Sequence, residues 1–141
     1  MATVKRQAPE PRQTQGTILV ADDEELIRTL ASRFLAQSGF NVLSAVSGED
    51  ALKQSRNHKG DIHLLLSDIE MPGIKGVELA EKLTLERPEI KVILISGYST
   101  QMLILNHGWH FLPKPFAPAR LRDLISSVLA PGGKSLLGAS K

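Results

Sequence analysis

Five side chains suited to handling a phosphoryl group or a cation stand at the ends of short apolar runs. Asp22 and Asp23 follow TILVA (17–21), Asp68 follows IHLLLS (62–67), Ser96 closes KVILIS (91–96), and Lys114 comes just after HFL (110–112). Three carboxylates in one cleft repel one another and are costly to remove from water, so such a cluster implies a cation that relieves it. Hard oxygen donors without cysteine or histidine favour Mg²⁺, which keeps several waters and is commonly shared with phosphate oxygens. A carboxylate can also be the nucleophile in phosphoryl transfer, forming an acyl phosphate whose spread charge a metal and a lysine neutralise. Asp68 as nucleophile, Asp22 and Asp23 as metal carriers, Lys114 as counter-cation and Ser96 as a hydrogen-bond donor form one coherent set.

Those residues share a site only if the chain folds to bring the run ends together. The runs TILVA, IHLLLS and KVILIS are almost continuously apolar, as strands covered on both faces require, and NVLSA (41–45) and HFL complete five strand candidates. Between them lie segments of helical spacing. Ile27, Leu30, Ala31 and Phe34 form one predicted stripe, and Leu121, Leu124, Ile125 and Val128 another. Gly39 and Pro88 are stop signals after the first and third helices. Repeated β-α units of this size predict an α/β fold, a doubly wound parallel sheet with helices on both faces and ligands outside the carboxyl ends of the strands.

Taken singly, each residue has a plainer explanation. An aspartate between strand and helix is often an N-cap, Asp68 precedes the bend Met71-Pro72-Gly73, and a lone Lys114 is an ordinary surface charge. The joint pattern is what carries information, since each member closes a different predicted strand on the same sheet edge. Over about residues 16–130 the chain resembles a receiver domain of two-component response regulators. The matching pieces are ILVADDEELIR (18–28), LLLSDIEMPGIKGVELAEKL (64–83), VILISGYS (92–99) and FLPKPF (111–116).

The resemblance implies a five-stranded, flavodoxin-like sheet of order 2-1-3-4-5. It implies that Asp68 takes a phosphoryl group from a phosphohistidine on a histidine kinase or histidine phosphotransfer domain. Asp22, Asp23, Asp68 and the backbone carbonyl of Glu70 are then the Mg²⁺ ligands. Ser96 closes on the phosphoryl group, Lys114 pairs with its oxygens, and the Phe111 ring moves inward with Ser96. The Lys114–Pro115 bond is a candidate cis peptide. Phosphorylation adds about −1.5 to −2 charges at Asp68, so only contacts that differ between the two states can drive a switch. The stretch between Ser96 and Lys114 is short, with Thr100–His107 leaving room for about two helical turns, which is similar to receivers fused to hybrid histidine kinases. A shortened helix there puts the usual output face in question.

Composition narrows the remaining classes. The 141 residues include no cysteine, which removes disulfides, thiolate metal sites and cysteine nucleophiles. Residues 1–16 read as a flexible arm or linker, 17–130 as the receiver and 131–141 as a flexible tail. The formal charge of +2 resides in the two tails, because residues 17–130 carry 12 basic and 14 acidic side chains. No cationic groove for nucleic acid is expected. No apolar run is long enough for a bilayer, and the amino end lacks a signal peptide's apolar stretch, so membrane insertion is not expected and the expected location is the cytoplasm. Gly133-Lys134-Ser135 is no phosphate loop, because Val128 stands where that motif needs its first glycine. His58, His63, His107 and His110 show no metal-ligand spacing. Trp109 is either packed under the last helix or exposed, and Tyr98 either gates Asp68 or is a surface ring.

Two rivals stay open at this point. One is an Mg²⁺-dependent phosphohydrolase with Glu70 as general acid two residues after its nucleophile. The other is a pseudo-receiver that binds partners without phosphorylation. The expectation is a phosphoacceptor that catalyses only its own phosphorylation and dephosphorylation, with no turnover of other substrates.

Overall fold

The computed structural model describes residues 15–97 and 108–130. Five strands, β1 (Thr17–Ala21), β2 (Asn41–Ala45), β3 (Leu64–Asp68), β4 (Lys91–Ser96) and β5 (His110–Pro113), form one parallel sheet of order β2-β1-β3-β4-β5. Among the described residues the helices are α1 (Glu25–Gln37), α2 (Gly48–Asn57), α3 (Gly76–Glu86) and α4 (Pro118–Leu129). The chain direction reverses its strand order between β1 and β3, where two crossovers leave for opposite sides, and that is where such a sheet opens a crevice.

The apolar runs sort residue by residue onto two faces, as a period of two demands. Leu19, Leu65, Val92 and Leu94 point into a core closed by Ala51 and Leu52 of α2 and Leu79, Ala80 and Leu83 of α3. Ile18, Val20, Leu64, Leu66, Ile93 and Ile95 point the other way, onto Leu35 of α1 and Leu121, Ile125 and Val128 of α4. Burial on both faces is why β1, β3 and β4 read as unbroken hydrophobic strings. The outer strands β2 and β5 are only partly covered. Pro113 sits on β5 at that edge, where its missing N–H breaks no central ladder.

Local signals fix the element ends. Gly39 follows α1 with φ +103°, a left-handed value that glycine adopts without a Cβ clash. Ser47 Oγ caps α2 by accepting the Asp50 N–H at 3.0 Å, and Asp50 Oδ2 reaches back to accept the Val46 N–H at 3.0 Å. Arg87, just past α3 and before Pro88, donates to Ser55 Oγ and to the carbonyls of Ser55, His58 and Gly60, bracing the α2–β3 loop.

Three expectations shift. The α1 stripe runs through Ala31 and Leu35; Leu30 is 57% exposed, because it shares with Leu26 an outward ridge four residues apart. Strand β3 begins at Leu64 and takes in Asp68, while Ile62 is buried ahead of it. Trp109 packs on the α2–α3 face, opposite α4. His63 has a structural use: its Nδ1 accepts the Thr17 N–H at 3.0 Å beside the start of the ladder. Thr100–His107, Tyr98, residues 1–14 and the tail from 131 lie outside the described residues.

Leu65→Ala, which empties a fully buried position between the sheet and its helices, should cost about 2–5 kcal/mol in urea denaturation. Leu85→Ala, at an 83% exposed position, should stay within about 0.5 kcal/mol.

Candidate functional site

In a parallel sheet every strand presents its carboxyl end to the same edge, so the register decides what meets there. Ala21 pairs with Ser67 and Ala45, Asp68 with Ile95, and Ser96 with Pro113. Asp22, Asp68 and Ser96 are thereby stacked across three neighbouring strand ends, with Lys114 beside them on the fourth. Asp22 is 2%, Asp68 5% and Ser96 1% exposed.

The loops finish the pocket with backbone contacts. Asp22 Oδ1 accepts the Glu24 N–H at 2.9 Å, and the Arg28 guanidinium donates to the Asp22 carbonyl at 2.9 Å, so the turn into α1 is held against the acid. The Glu70 amide donates to the Asp68 carboxylate. Ser67 Oγ donates to the Asp68 carbonyl at 2.9 Å. Gly76 opens α3 directly against this strand end: a Cβ there would collide with the Asp68 carbonyl oxygen and lie 2.8 Å from the Ile69 Cα. Beyond β4, the Lys114 N–H donates to the Ser96 carbonyl at 3.0 Å, and the Lys114–Pro115 peptide is cis. Phe111, paired with Leu94, is half-buried against the α2–α3 core.

The charges do not balance. Lys114 Nζ lies 3.6 Å from Asp68 Oδ1 and 3.4 Å from Glu24 Oε1, one ammonium among several acids. Burial first, and then the charge of Asp22, push the Asp68 carboxyl up to about 6, against the opposing pull of Lys114. Asp22 is raised as well, chiefly by burial. Partial burial pulls the Lys114 ammonium down, but Asp68 and Asp22, followed by Glu24, carry it above its ordinary value. A single lysine therefore leaves the pocket short of positive charge.

The carboxylates of Asp22, Glu24 and Asp68 offer oxygens that all lie within 4.8 Å of one another. Two oxygens on opposite sides of one Mg²⁺ are separated by about 4.2 Å, so a small contraction lets these hard donors fit that ion. Asp23, named from the sequence as a metal carrier, is exposed and stands outside this group. Glu24, to which the sequence pattern assigns no role, is the third acid of the group. The acidic run Asp22-Asp23-Glu24-Glu25 was the available signal. At the opposite end of the strands, a cleft of about 800 Å³ is lined by Ile62, Arg87, Ile90, Lys91 and Val128 and includes none of these acids.

Residues 18–126 match the model of the response regulator receiver domain. The chain belongs to the receiver family of two-component signalling. The sensor kinase CckA of Brucella abortus is 32% identical over 118 residues, covering 81% of this receiver and 12% of CckA. The transcriptional regulator PhoP of Bacillus subtilis is 31% identical, with 79% of this chain and 48% of PhoP covered. The chain thus spans between about an eighth and a half of these relatives. Among solved structures, the receiver from the hybrid histidine kinase CckA aligns with a TM-score of 0.69 at 39% identity, covering 79% of this chain and 96% of that one. The Thermotoga maritima regulator TrrA, solved with Mg²⁺ and beryllium fluoride, aligns at 0.71 and 33% identity, covering 82% and 100%. The strand order expected from the resemblance is the one observed. No helix among the described residues is long and apolar enough to cross a membrane.

The raised Asp68 carboxyl has a consequence for stability. Its folded value lies above the ordinary 3.8, so the native state holds the proton more tightly, and stability is lost as pH rises from about 4 to about 6. In metal-free protein at pH 7, Asp68→Asn should therefore raise stability by on the order of 2 kcal/mol, a gain that fades towards pH 4. Thermal melts across that range check both the sign and the window.

Proposed function

We propose that this receiver accepts a phosphoryl group on Asp68 from a phosphohistidine carried by a histidine kinase or a histidine phosphotransfer domain. The observation that supports this reading best is the 3.6 Å approach of Lys114 to a buried Asp68 that also has Asp22 beside it. One Asp68 oxygen forms the new O–P bond as the histidine N–P bond breaks, and the departing imidazole keeps the electron pair. Lys114 stays close enough to move onto the phosphoryl oxygens. Ser96, at the end of the adjacent strand, donates its hydroxyl to another of them.

Asp22, Asp23, Asp68 and the Glu70 carbonyl are the residues that would hold Mg²⁺, and the ion would supply neutralising charge to the transferred group. The TrrA structure, with Mg²⁺ and beryllium fluoride bound, supports the same use of an acidic pocket here. Phe111 occupies the half-buried edge position from which a ring can follow Ser96 inward. The likeness to the CckA receiver supports a donor within a hybrid-kinase relay, with this receiver either fused to a kinase or free.

In this reading the protein turns over no independent substrate. The hydrolase alternative needs the Glu70 carboxylate as general acid, whereas Glu70 is exposed and stands outside the group of acids around Asp68. A cytoplasmic site of action accords with a donor that is itself phosphorylated inside the cell.

Incubation with acetyl phosphate and Mg²⁺, followed by intact-mass spectrometry, should show one added phosphoryl group, and none on Asp68→Asn. Equal labelling of the two proteins would rule out Asp68 as the acceptor, and steady hydrolysis of p-nitrophenyl phosphate would favour the hydrolase. Lys114→Ala should still be labelled, with a smaller change in its backbone amide spectrum. A full-sized spectral change would deny Lys114 its part in the switch.

A further inference from the structure

Glu24 occupies the N-cap of α1 but does not cap it. Its backbone is extended, with φ −88° and ψ 113°, and its side chain accepts no hydrogen bond from the first-turn amides. An acid in that position ordinarily bonds the free N–H groups of the next residues and gains from the helix dipole. Here the carboxylate reaches 90 residues along the chain, to Lys114 Nζ at 3.4 Å. The lysine is also 3.6 Å from Asp68 Oδ1. Both separations exceed the roughly 2.7–2.9 Å of a committed charge-assisted hydrogen bond, so the ammonium is shared between the two acids. The two anchors differ in depth: the Glu24 side chain is 59% exposed and that of Asp68 6%. Glu24 thus draws the ammonium towards the rim, while Asp68 draws it inward.

We propose that Glu24 is a positioning residue that competes for Lys114, holding the ammonium at the mouth of the pocket until a phosphoryl group on Asp68 outbids it. This rests on the phosphoacceptor reading of Asp68. In the resting protein the lysine has two partners. When three phosphoryl oxygens become available, it moves fully inward and Glu24 loses its contact. The lost contact opposes the phosphoryl-bound state. An exposed ion pair is weak, so the opposition corresponds to about a two- to fivefold change in affinity for a phosphoryl mimic. Removing the Glu24 charge should therefore favour the engaged state, and should do so only while Lys114 is present.

The test uses the whole chain as wild type, Glu24→Gln, Lys114→Ala, the double variant, and Glu25→Gln as a neighbouring-charge control. In metal-free protein, the Lys114 CεH₂ signal in a ¹H–¹³C correlation spectrum should move in Glu24→Gln and stay in place in Glu25→Gln. An unmoved signal overturns the proposal, since the contact would then be absent in solution. The second measurement is affinity for beryllium fluoride in the presence of Mg²⁺, by calorimetry. Glu24→Gln should bind about two- to fivefold more tightly than wild type, and the gain should vanish in the Lys114→Ala background. A gain that persists without Lys114 shows direct repulsion of the anion by Glu24 and overturns the proposal. If the Lys114 signal moves but wild type binds no beryllium fluoride, the phosphoacceptor reading fails and the Glu24–Lys114 contact survives without that role.

Discussion

Two carboxylates, Asp22 and Asp68, are buried side by side with a single nearby ammonium, and this imbalance governs the rest of the molecule. An unrelieved buried charge costs several kcal/mol, so the surrounding structure has to hold the pair in place against its own repulsion. It does so with backbone. Asp22 is tied to the Glu24 amide, Asp68 to the Glu70 amide, and the Asp22 carbonyl to Arg28. The sheet sets the spacing, since β1 and β3 are hydrogen-bonded neighbours whose ends cannot separate without breaking the ladder. The pocket is therefore poised to receive positive charge, and a pocket in that condition responds strongly to whatever supplies or shifts it.

The apolar strings made the fold legible. A strand buried on both faces needs no alternation to be recognised, and β1, β2 and β4 have the limits their sequences announce. The gathering of Asp22, Asp68, Ser96 and Lys114 was legible for a related reason, since parallel strands put like ends together. What escaped was angular detail. The α1 segment carries two apolar ridges, Leu26–Leu30 and Ala31–Leu35, and composition does not say which one faces the sheet. Four acids in a row likewise do not reveal which carboxylates turn inward. The helix start rotates Glu24 towards Lys114 and leaves Asp23 facing solvent. Trp109 gave no advance signal, because one aromatic beside an edge strand has two faces to choose from.

The charge pattern adds a second layer. The acids that form the pocket belong to a body with a slight negative excess, and the compensating basic residues lie in segments at the two ends of the chain. On the described body, ion pairs such as Arg56–Glu86 and the i,i+4 pair Lys82–Glu78 are exposed and contribute little to stability. The buried acids are the electrostatic feature that matters, and the helices that frame them begin at that same sheet edge.

Gly76 determines how that frame behaves under mutation. Because α3 meets the Asp68–Ile69 segment backbone to backbone, the seating of the acid is gauged by atoms that replacements at positions other than Gly76 leave in place. Apolar residues elsewhere in the interior can drift among Leu, Ile, Val and Met over evolutionary time, at some cost in stability, without changing how far Asp68 reaches into its pocket. Chemistry and packing are in this way uncoupled at one position, and the uncoupling lets a receiver of this kind diversify its surfaces while its reactive carboxylate keeps the same address.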